Sequence, residues 1–250
     1  MTASDEYAID AARFRDALLE QRAMRLAGGL YHLNQIQLAY NSNRIEGSQL
    51  SSEQTRYLFE TQTVDGPARA DDVVETTNHF RIFDVMLDAV GSPLTAQRIR
   101  EYHRILKSGT SDSALDWFGV GDWKRVPNVV GGTDTTPPEL VGTAIDDLLA
   151  QYPGPMAFAD ICDFHWRFEA IHPFQDGNGR VGRIIAFEQC LTHGIMPFIV
   201  LEDDKFFYYR GLREYAAEPG FLRDTFRAFQ DRYHATYRQY IPQIPGQLAD

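Results

Sequence analysis

The sequence predicts an all-α fold, mainly helical, with one small β-hairpin that forms a flap. Most segments repeat apolar residues at the three-to-four spacing that places them on one face of a helix. Residues 109–136 break this pattern, since they hold five glycines and one proline without helical period. The hydrophobic content of 44% and the charged content of 24% are typical of a soluble globular chain.

Residues 1–90 are predicted to form an N-terminal helical region. Its helices are expected over 8–27, 30–46, 52–62 and 70–90. Gly28-Gly29 ends the first and Gly47 follows the second, because glycine is favoured just past a helix C-terminus. Ser51 with Gln54 three residues later forms a capping-box pattern, which predicts the start of the third.

Residues 91–240 are predicted to form a second, catalytic region. Thr95 is a candidate N-cap for a helix that ends near Lys107, and further helices are expected over 137–152, 156–171, 178–193, 203–217 and 220–239. The run 123–130 can be extended, and Gly131-Gly132 can turn it into a hairpin. The last residues, 241–250, are predicted to be a loose tail.

Charge and composition exclude several classes of function. The formal net charge of −11 disfavours binding to DNA or RNA, whose backbones are also negative. No apolar run approaches the roughly 18 residues of a membrane span, and the polar start lacks a signal-peptide pattern. Cys162 and Cys190 lie in apolar helical patterns and are expected to be free, buried thiols. We therefore expect a cytoplasmic protein.

Residues 172–183, His-Pro-Phe-Gln-Asp-Gly-Asn-Gly-Arg-Val-Gly-Arg, collect the groups that transfer of a phosphate-bearing group requires. The segment lies between two predicted helices, so Gly177, Asn178 and Gly179 occupy the first turn of the second. Three backbone N–H groups there lack helical partners, and the helix dipole adds positive charge. A helix N-terminus of this kind can bind an anion.

Side chains in the same segment supply the remaining chemistry. Asp176 offers the hard oxygen that Mg²⁺ prefers beside substrate phosphates. Arg180 and Arg183, one turn apart, can grip phosphate oxygens with planar guanidinium groups. His172 is a candidate general base, because the reference pKa of histidine is near 6.5. The segment lacks Gly-Lys-Ser/Thr, so it is not a Walker A loop.

A different reading of these residues is a metal centre. His165, His172 and Asp176 have spacings of seven and four, and together they can ligate a transition metal. Structural metal sites usually need a closed set of four ligands, which argues against this alternative.

The pattern His-Pro-Phe-x-Asp-Gly-Asn-Gly-Arg-x-x-Arg resembles the signature of the Fic family (filamentation induced by cyclic AMP). Every fixed position is present, and the resemblance extends over about residues 36–230. Fic proteins typically transfer AMP from ATP to a Ser, Thr or Tyr hydroxyl of a protein. The resemblance implies that His172 is the base, that Asp176 binds Mg²⁺, and that residues 177–183, which include Val181 and Gly182, contact the nucleotide.

The resemblance also implies roles outside this segment. The flap, Asn128, Val129, Val130 and Gly131, would pin a target segment by backbone pairing, and Tyr208 would contact the nucleotide. The chain departs from the family pattern at Ala216, where an asparagine is usual, and at Lys124, where an arginine is common.

Residues 42–47 resemble the inhibitory pattern of the family, Ser/Thr-x-x-x-Glu-Gly/Asn. Ser42 and Glu46 are one helical turn apart, and Gly47 follows. Glu46 paired with Arg183 would place a negative charge where the γ-phosphate must bind. The resemblance therefore implies inhibition by the chain's own helix over about 30–47.

We predict an Mg²⁺-dependent protein adenylyltransferase with ATP as substrate and a protein target, which can be the chain itself. One alternative is an enzyme that removes AMP or transfers another phosphoryl group from the same site. A third is a non-catalytic helical module that senses nucleotide. The sequence does not indicate the protein target or the oligomeric state.

Overall fold

The computed structural model describes the backbone of residues 3–241 and the side chains of residues 10–241. Within this part of the chain there are ten α-helices and one two-stranded antiparallel hairpin. The elements are α1 Ala3–Met24, α2 Leu30–Ile45, α3 Ser52–Thr61, α4 Ala70–Ala89, α5 Ala96–Lys107, β1 Val129–Val130, β2 Thr133–Asp134, α6 Val141–Ala150, α7 Phe158–Ile171, α8 Asn178–Thr192, α9 Lys205–Glu214 and α10 Gly220–Tyr237. The predicted all-α fold with one hairpin is confirmed.

Local capping chemistry sets two of the helix starts. Ser51 Oγ accepts from the Gln54 amide at 3.1 Å, and Gln54 Oε1 accepts from the Ser51 amide at 2.9 Å, so the predicted capping box begins α3. Thr95 Oγ1 accepts from the Arg98 amide at 3.2 Å and begins α5.

Helix α8 lies at the centre of the core. It packs against α1, α2, α4, α5 and α7, and its apolar side chains are almost wholly buried, among them Val181, Ile184, Ile185, Phe187 and Leu191. Cys162 and Cys190 are both buried and unbonded, as the sequence predicted. Because α8 is held on several sides, its first turn is a rigid platform for the loop that precedes it.

The hairpin is short and its valines are exposed. Val129 pairs with Asp134 and Val130 with Thr133, and the turn uses Gly131 at φ 56° and Gly132 at φ 83°. These angles suit glycine and the tight turns that join antiparallel strands. The predicted extended run from Trp123 forms a strand only at its last two residues, because Lys124, Val126 and Asn128 bond to the loop after α7 instead.

Several boundaries differ from the prediction. Helix α1 ends at Met24 and not near residue 27, since Arg25 takes a left-handed conformation at φ 52°. Helix α9 is shorter than predicted, because residues 202–204 form a 3₁₀ turn before it. Ile241 is buried, and the rest of the predicted loose tail, 242–250, lies outside the described residues. Among residues 3–241, no helix is both long and apolar enough to cross a membrane.

Candidate active site

The loop between α7 and α8 brings the predicted base and anion site together. His172 ends α7 in the left-handed region at φ 50° and ψ 63°. Phe174 is fully buried and stacks on His103 with ring centroids 4.0 Å apart. Asn178 closes the loop, since its Oδ1 accepts from the Phe174 amide at 2.8 Å and its Nδ2 donates to the Phe174 carbonyl at 2.9 Å. The Asn178 side chain is thus structural, and only its backbone remains for a ligand.

The first turn of α8 is the segment that the sequence predicts as an anion cradle, and its anion binding stays a prediction. Gly177 precedes it at φ 82°, and the first helical bond runs from the Val181 amide to the Gly177 carbonyl at 3.0 Å. The amides of residues 178–180 therefore have no partner within the helix, and they carry the positive end of its dipole. Val181 is fully buried, so any contact it makes with a nucleotide must come from its backbone.

Arg183 is bound to helix α2. Its Nε donates to Ser42 Oγ at 3.0 Å, and its Nη2 donates to Ser42 O at 2.9 Å and to Glu46 Oε1 at 2.7 Å. Burial alone would lower the pKa of Arg183, but the carboxylate of Glu46 raises it above its ordinary value. A Cβ at Gly179 would collide with the Glu46 carboxylate and would lie 2.8 Å from Arg183 Nη1. Gly179 therefore permits the close approach of α2 to α8.

Arg180 belongs to a different charge cluster, which sequence reasoning missed. It contacts Glu75 on α4, and its Nη2 lies 2.9 Å from Asp176 Oδ2. Lys107, only 2% exposed, places its Nζ 2.6 Å from Glu75 Oε1, 2.7 Å from Asp176 Oδ2 and 2.9 Å from Asp112 Oδ2. The two arginines thus lie one turn apart but bind separate carboxylates.

The charge cluster keeps Asp176 ionised. Burial would raise the pKa of Asp176, but Arg180 and Lys107 outweigh this effect and hold the pKa well below its ordinary value. The Asp176 side chain is 47% exposed, so it is accessible to a ligand in spite of its protein partners. The site therefore presents a half-exposed carboxylate next to an anion cradle.

His172 has the properties of a base at neutral pH. Burial lowers the pKa of His172, and the charge of Lys124 lowers it further, while the Glu169 carbonyl, Glu46 and Asp176 oppose the shift. Its Nδ1 has no hydrogen-bond partner among the described residues. The imidazole is therefore neutral near pH 7 and can accept a proton.

His165 does not form a metal centre with His172 and Asp176. Its Nε2 lies 2.9 Å from the Tyr208 hydroxyl, and its Nδ1 lies 3.2 Å from the Gly182 carbonyl. No group of three or more metal-ligating side chains occurs in the part of the chain that the structure describes. Both ring nitrogens are used in packing α7 against α8 and α9, which explains the position of this histidine.

Tyr208, the predicted nucleotide contact, is only 1% exposed. Its ring packs below the Arg183 guanidinium at 5.9 Å, so it supports that side chain from the core. The neighbouring Tyr209 is exposed, and its hydroxyl donates to the Ile45 carbonyl at 3.3 Å. Tyr209 is thus the accessible aromatic residue beside the end of α2, and the sequence offered no signal that separates the two tyrosines.

Glu169 is a further site residue that sequence reasoning missed. Burial raises the pKa of Glu169 to about 8, and its Oε1 has no hydrogen-bond partner among the described residues. It lies against Gly182, where a Cβ would collide with this oxygen. Glu169 is therefore mostly protonated at pH 7. Gly182 allows α7 and α8 to pack closely at this point, because it has no side chain.

Comparisons with known proteins identify similar chains. Residues 93–190 match the model of the Fic/DOC family. A curated protein of Culex quinquefasciatus named Protein adenylyltransferase Fic is 28% identical, over 96% of this chain and 50% of its own length. Its namesake in Drosophila willistoni is 27% identical, over 84% of this chain and 43% of its own. The chain therefore spans about half the length of the curated relatives it matches.

The fold also matches a solved structure. The crystal structure of a Fic domain containing signaling protein from Bacteroides thetaiotaomicron superposes with a TM-score of 0.69 at 22% identity. The match covers 92% of this chain and 94% of that one, so the shared fold extends over most of both chains.

Proposed function

The chain is a Fic family protein, and on that premise we propose that it transfers AMP from ATP to a hydroxyl group of a protein. The observation that supports this proposal is the short loop that leads from His172, at the end of α7, to the first turn of α8, where three amides have no partner within the helix. Its curated relatives are named for the same activity. A binding module would need the anion cradle but not the base.

The cradle and the arginines account for ATP as the donor. The amides of residues 178–180 can bind phosphate oxygens, as helix starts commonly do. Arg183 can hold the terminal phosphate once Glu46 leaves it, because a guanidinium binds phosphate as it binds carboxylate. Arg180 is already paired with Glu75 and Asp176. Its role is therefore to contribute positive charge near the phosphates and not to bind them directly.

The residues present fit a magnesium site with one protein ligand. Asp176 is ionised and 47% exposed, and Mg²⁺ usually takes one or two protein carboxylates with substrate phosphates. Asp176 Oδ2 already accepts from Lys107 and Arg180, so the ion would share this carboxylate with two cations. When bound, Mg²⁺ would neutralise charge on the departing pyrophosphate.

His172 performs the proton transfer. Its neutral imidazole accepts the proton of the target hydroxyl while that oxygen attacks the α-phosphorus of ATP. A bond forms between the target oxygen and the α-phosphorus, and the bond from the α-phosphorus to the bridging oxygen breaks. The products are the protein with AMP attached, pyrophosphate, and an imidazolium that returns its proton to water.

The hairpin suits the docking of an extended target segment. Val129 and Val130 are 60% and 46% exposed, and β1 has β2 as its only strand partner among the described residues. A strand with an unpaired edge can bind a peptide through its backbone. The residues that flank the hairpin are hydrogen-bonded to the loop that follows His172. A target segment held on the hairpin would therefore lie near the imidazole.

Helix α2 inhibits the reaction in the resting chain. Glu46 and Ser42 occupy Arg183, and a γ-phosphate placed there would meet the negative charge of Glu46. ATP can then bind only with its phosphates displaced, which removes the in-line geometry that transfer needs.

Labelled ATP tests this proposal. The Glu46→Gly variant is incubated in cell lysate with ATP labelled at the α-phosphate or, separately, at the γ-phosphate. We expect protein-bound label from the α-phosphate only. Label from the γ-phosphate would indicate kinase activity and contradict the proposal. In a second step, target protein that already carries labelled AMP is incubated with the unsubstituted chain. Release of the label would indicate that the activity of this chain is removal of AMP.

A further inference from the structure

Lys124 is buried without a negatively charged partner. Lys124 is only 3% exposed. Its Nζ donates to Thr135 Oγ1 at 2.5 Å, to Asn128 Oδ1 at 2.8 Å and to Ile171 O at 3.3 Å. No carboxylate of the described residues pairs with this ammonium group, and burial lowers the pKa of Lys124 to about 8. Burying a lysine this way is costly, so these three contacts call for a physical explanation.

Lys124 holds the carbonyl groups on both sides of His172. Its Nζ donates to the Ile171 carbonyl, which precedes His172, and its own amide donates at 2.8 Å to the Pro173 carbonyl, which follows. His172 has a left-handed backbone at φ 50°, which is unfavourable for a residue with a side chain. Such a conformation persists only where the surroundings fix it, and Lys124 supplies two of the fixing bonds.

The same ammonium group holds both ends of the hairpin. Asn128 directly precedes β1 and Thr135 directly follows β2, and the Thr135 amide donates to the Asn128 carbonyl at 3.3 Å. Asn128 Nδ2 also donates at 3.2 Å to the Phe174 carbonyl. The hairpin base and the loop from Ile171 to Phe174 therefore form one hydrogen-bonded unit with Lys124 at its centre.

We propose that Lys124 is a positioning residue, which fixes the hairpin relative to His172 and maintains the backbone conformation of that histidine. This inference rests on the proposed function, because it assigns Lys124 to the placement of a target hydroxyl against the base. Lys124 also contributes its charge to His172. Among the described residues, the charged groups with the largest effect on the imidazole are Lys124, Glu46 and Asp176, and of these three Lys124 disfavours the imidazolium.

The test uses the full chain without ATP and compares three variants. Lys124→Met removes the side-chain donors and the charge at similar length and keeps the amide that donates to the Pro173 carbonyl. Thr135→Val removes the hydrogen bond between Lys124 Nζ and the hairpin at Thr135 but keeps the positive charge of Lys124. Arg125→Met is the matched control, because Arg125 is the neighbouring cation, is exposed, and among the described residues bonds to the Asp116 carbonyl and pairs with Asp122. The readouts are the NMR titration of His172 and amide hydrogen exchange of peptides that cover 125–136 and 172–178.

Lys124→Met should raise the pKa of His172 by about half a unit or more, because a nearby positive charge is lost. It should also speed exchange in both peptides by about tenfold or more, since bonds to a charged group are lost. Thr135→Val should speed exchange in 125–136 and leave the titration of His172 unchanged. Arg125→Met should change none of these readouts.

The proposal is overturned if Lys124→Met behaves like Arg125→Met. If Lys124→Met does not fold, Thr135→Val decides, and unchanged exchange in 125–136 overturns the proposal. In the Glu46→Gly background, Lys124→Met should lower kcat/KM for a protein target about tenfold or more while ATP affinity stays unchanged. Absence of AMP transfer by Glu46→Gly itself would refute the proposed function, yet the ATP-free readouts would still decide the role of Lys124.

Discussion

Glu46 Oε1 lies 2.7 Å from Arg183 Nη2, although 137 residues separate the two in the chain. The contact joins the C-terminal end of α2 to the first turns of α8, next to the anion cradle. A negative charge is unfavourable at a helix C-terminus, so the position of Glu46 is explained by its partner and not by α2 itself.

Replacing Glu46 with glycine should raise AMP transfer by at least about tenfold, because a charge-assisted hydrogen bond no longer holds Arg183. The initial rate of label transfer from α-labelled ATP measures the effect. Glu53→Ala is the matched control, since Glu53 is an exposed carboxylate on α3 that pairs, within residues 10–241, with the nearby Arg56. Equal rates for Glu46→Gly and the unsubstituted chain would refute inhibition by α2.

Replacing His172 with alanine in the Glu46→Gly background should lower transfer by about 10²–10⁴-fold, because the target hydroxyl loses its proton acceptor. His193→Ala serves as the control, since His193 lies at the far end of α8. ATP affinity, measured by calorimetry, should stay nearly unchanged. Activity retained within a few-fold would show that another group accepts the proton.

The pH dependence of transfer should reflect the lowered pKa of His172. As pH falls, the imidazole binds a proton and can no longer accept one, so kcat/KM decreases through the pKa of the free enzyme. Because burial and Lys124 lower this pKa, the midpoint should lie below 6.5, the ordinary value for histidine. Glu46 opposes the shift, so its removal should move the midpoint lower still. A midpoint above 6.5 in Glu46→Gly would contradict this assignment.

Replacing Lys107 with methionine should destabilise the fold by about 2–4 kcal/mol, because it leaves Glu75 and Asp176 with one cation fewer in a partly buried site. Urea unfolding at neutral pH measures the loss. The control is Lys205→Met, whose exposed pair with Glu202 should contribute less than about 1 kcal/mol. Equal effects of the two substitutions would show that the cluster around Lys107 is not stabilising.

The sequence predicted those features that are encoded locally. The caps at Ser51 and Thr95 act within three residues, so both helix starts were predicted correctly. The segment from His172 to Arg183 is contiguous, so its candidate roles follow from residue types and spacing, and these roles stay a prediction. Gly131-Gly132 likewise marks a turn through backbone angles that glycine alone adopts easily.

The remaining site features depend on tertiary contacts that leave no local pattern. Lys107 lies 69 residues from Asp176 in sequence, and nothing near it indicates that its ammonium group is buried. The raised pKa of Glu169 arises from packing, which spacing along α7 cannot reveal. Arg180 and Arg183 share a helix face in the sequence pattern, yet α4 and α2 supply them with different carboxylates.

The crystal structure of the Glu46→Gly variant with ATP and Mg²⁺ tests the central claim most directly. We expect the phosphates at the amides of residues 178–180, the γ-phosphate within hydrogen-bond distance of Arg183, the ion on Asp176, and the α-phosphorus facing His172. A nucleotide bound elsewhere, or a γ-phosphate that does not contact Arg183, would contradict the account.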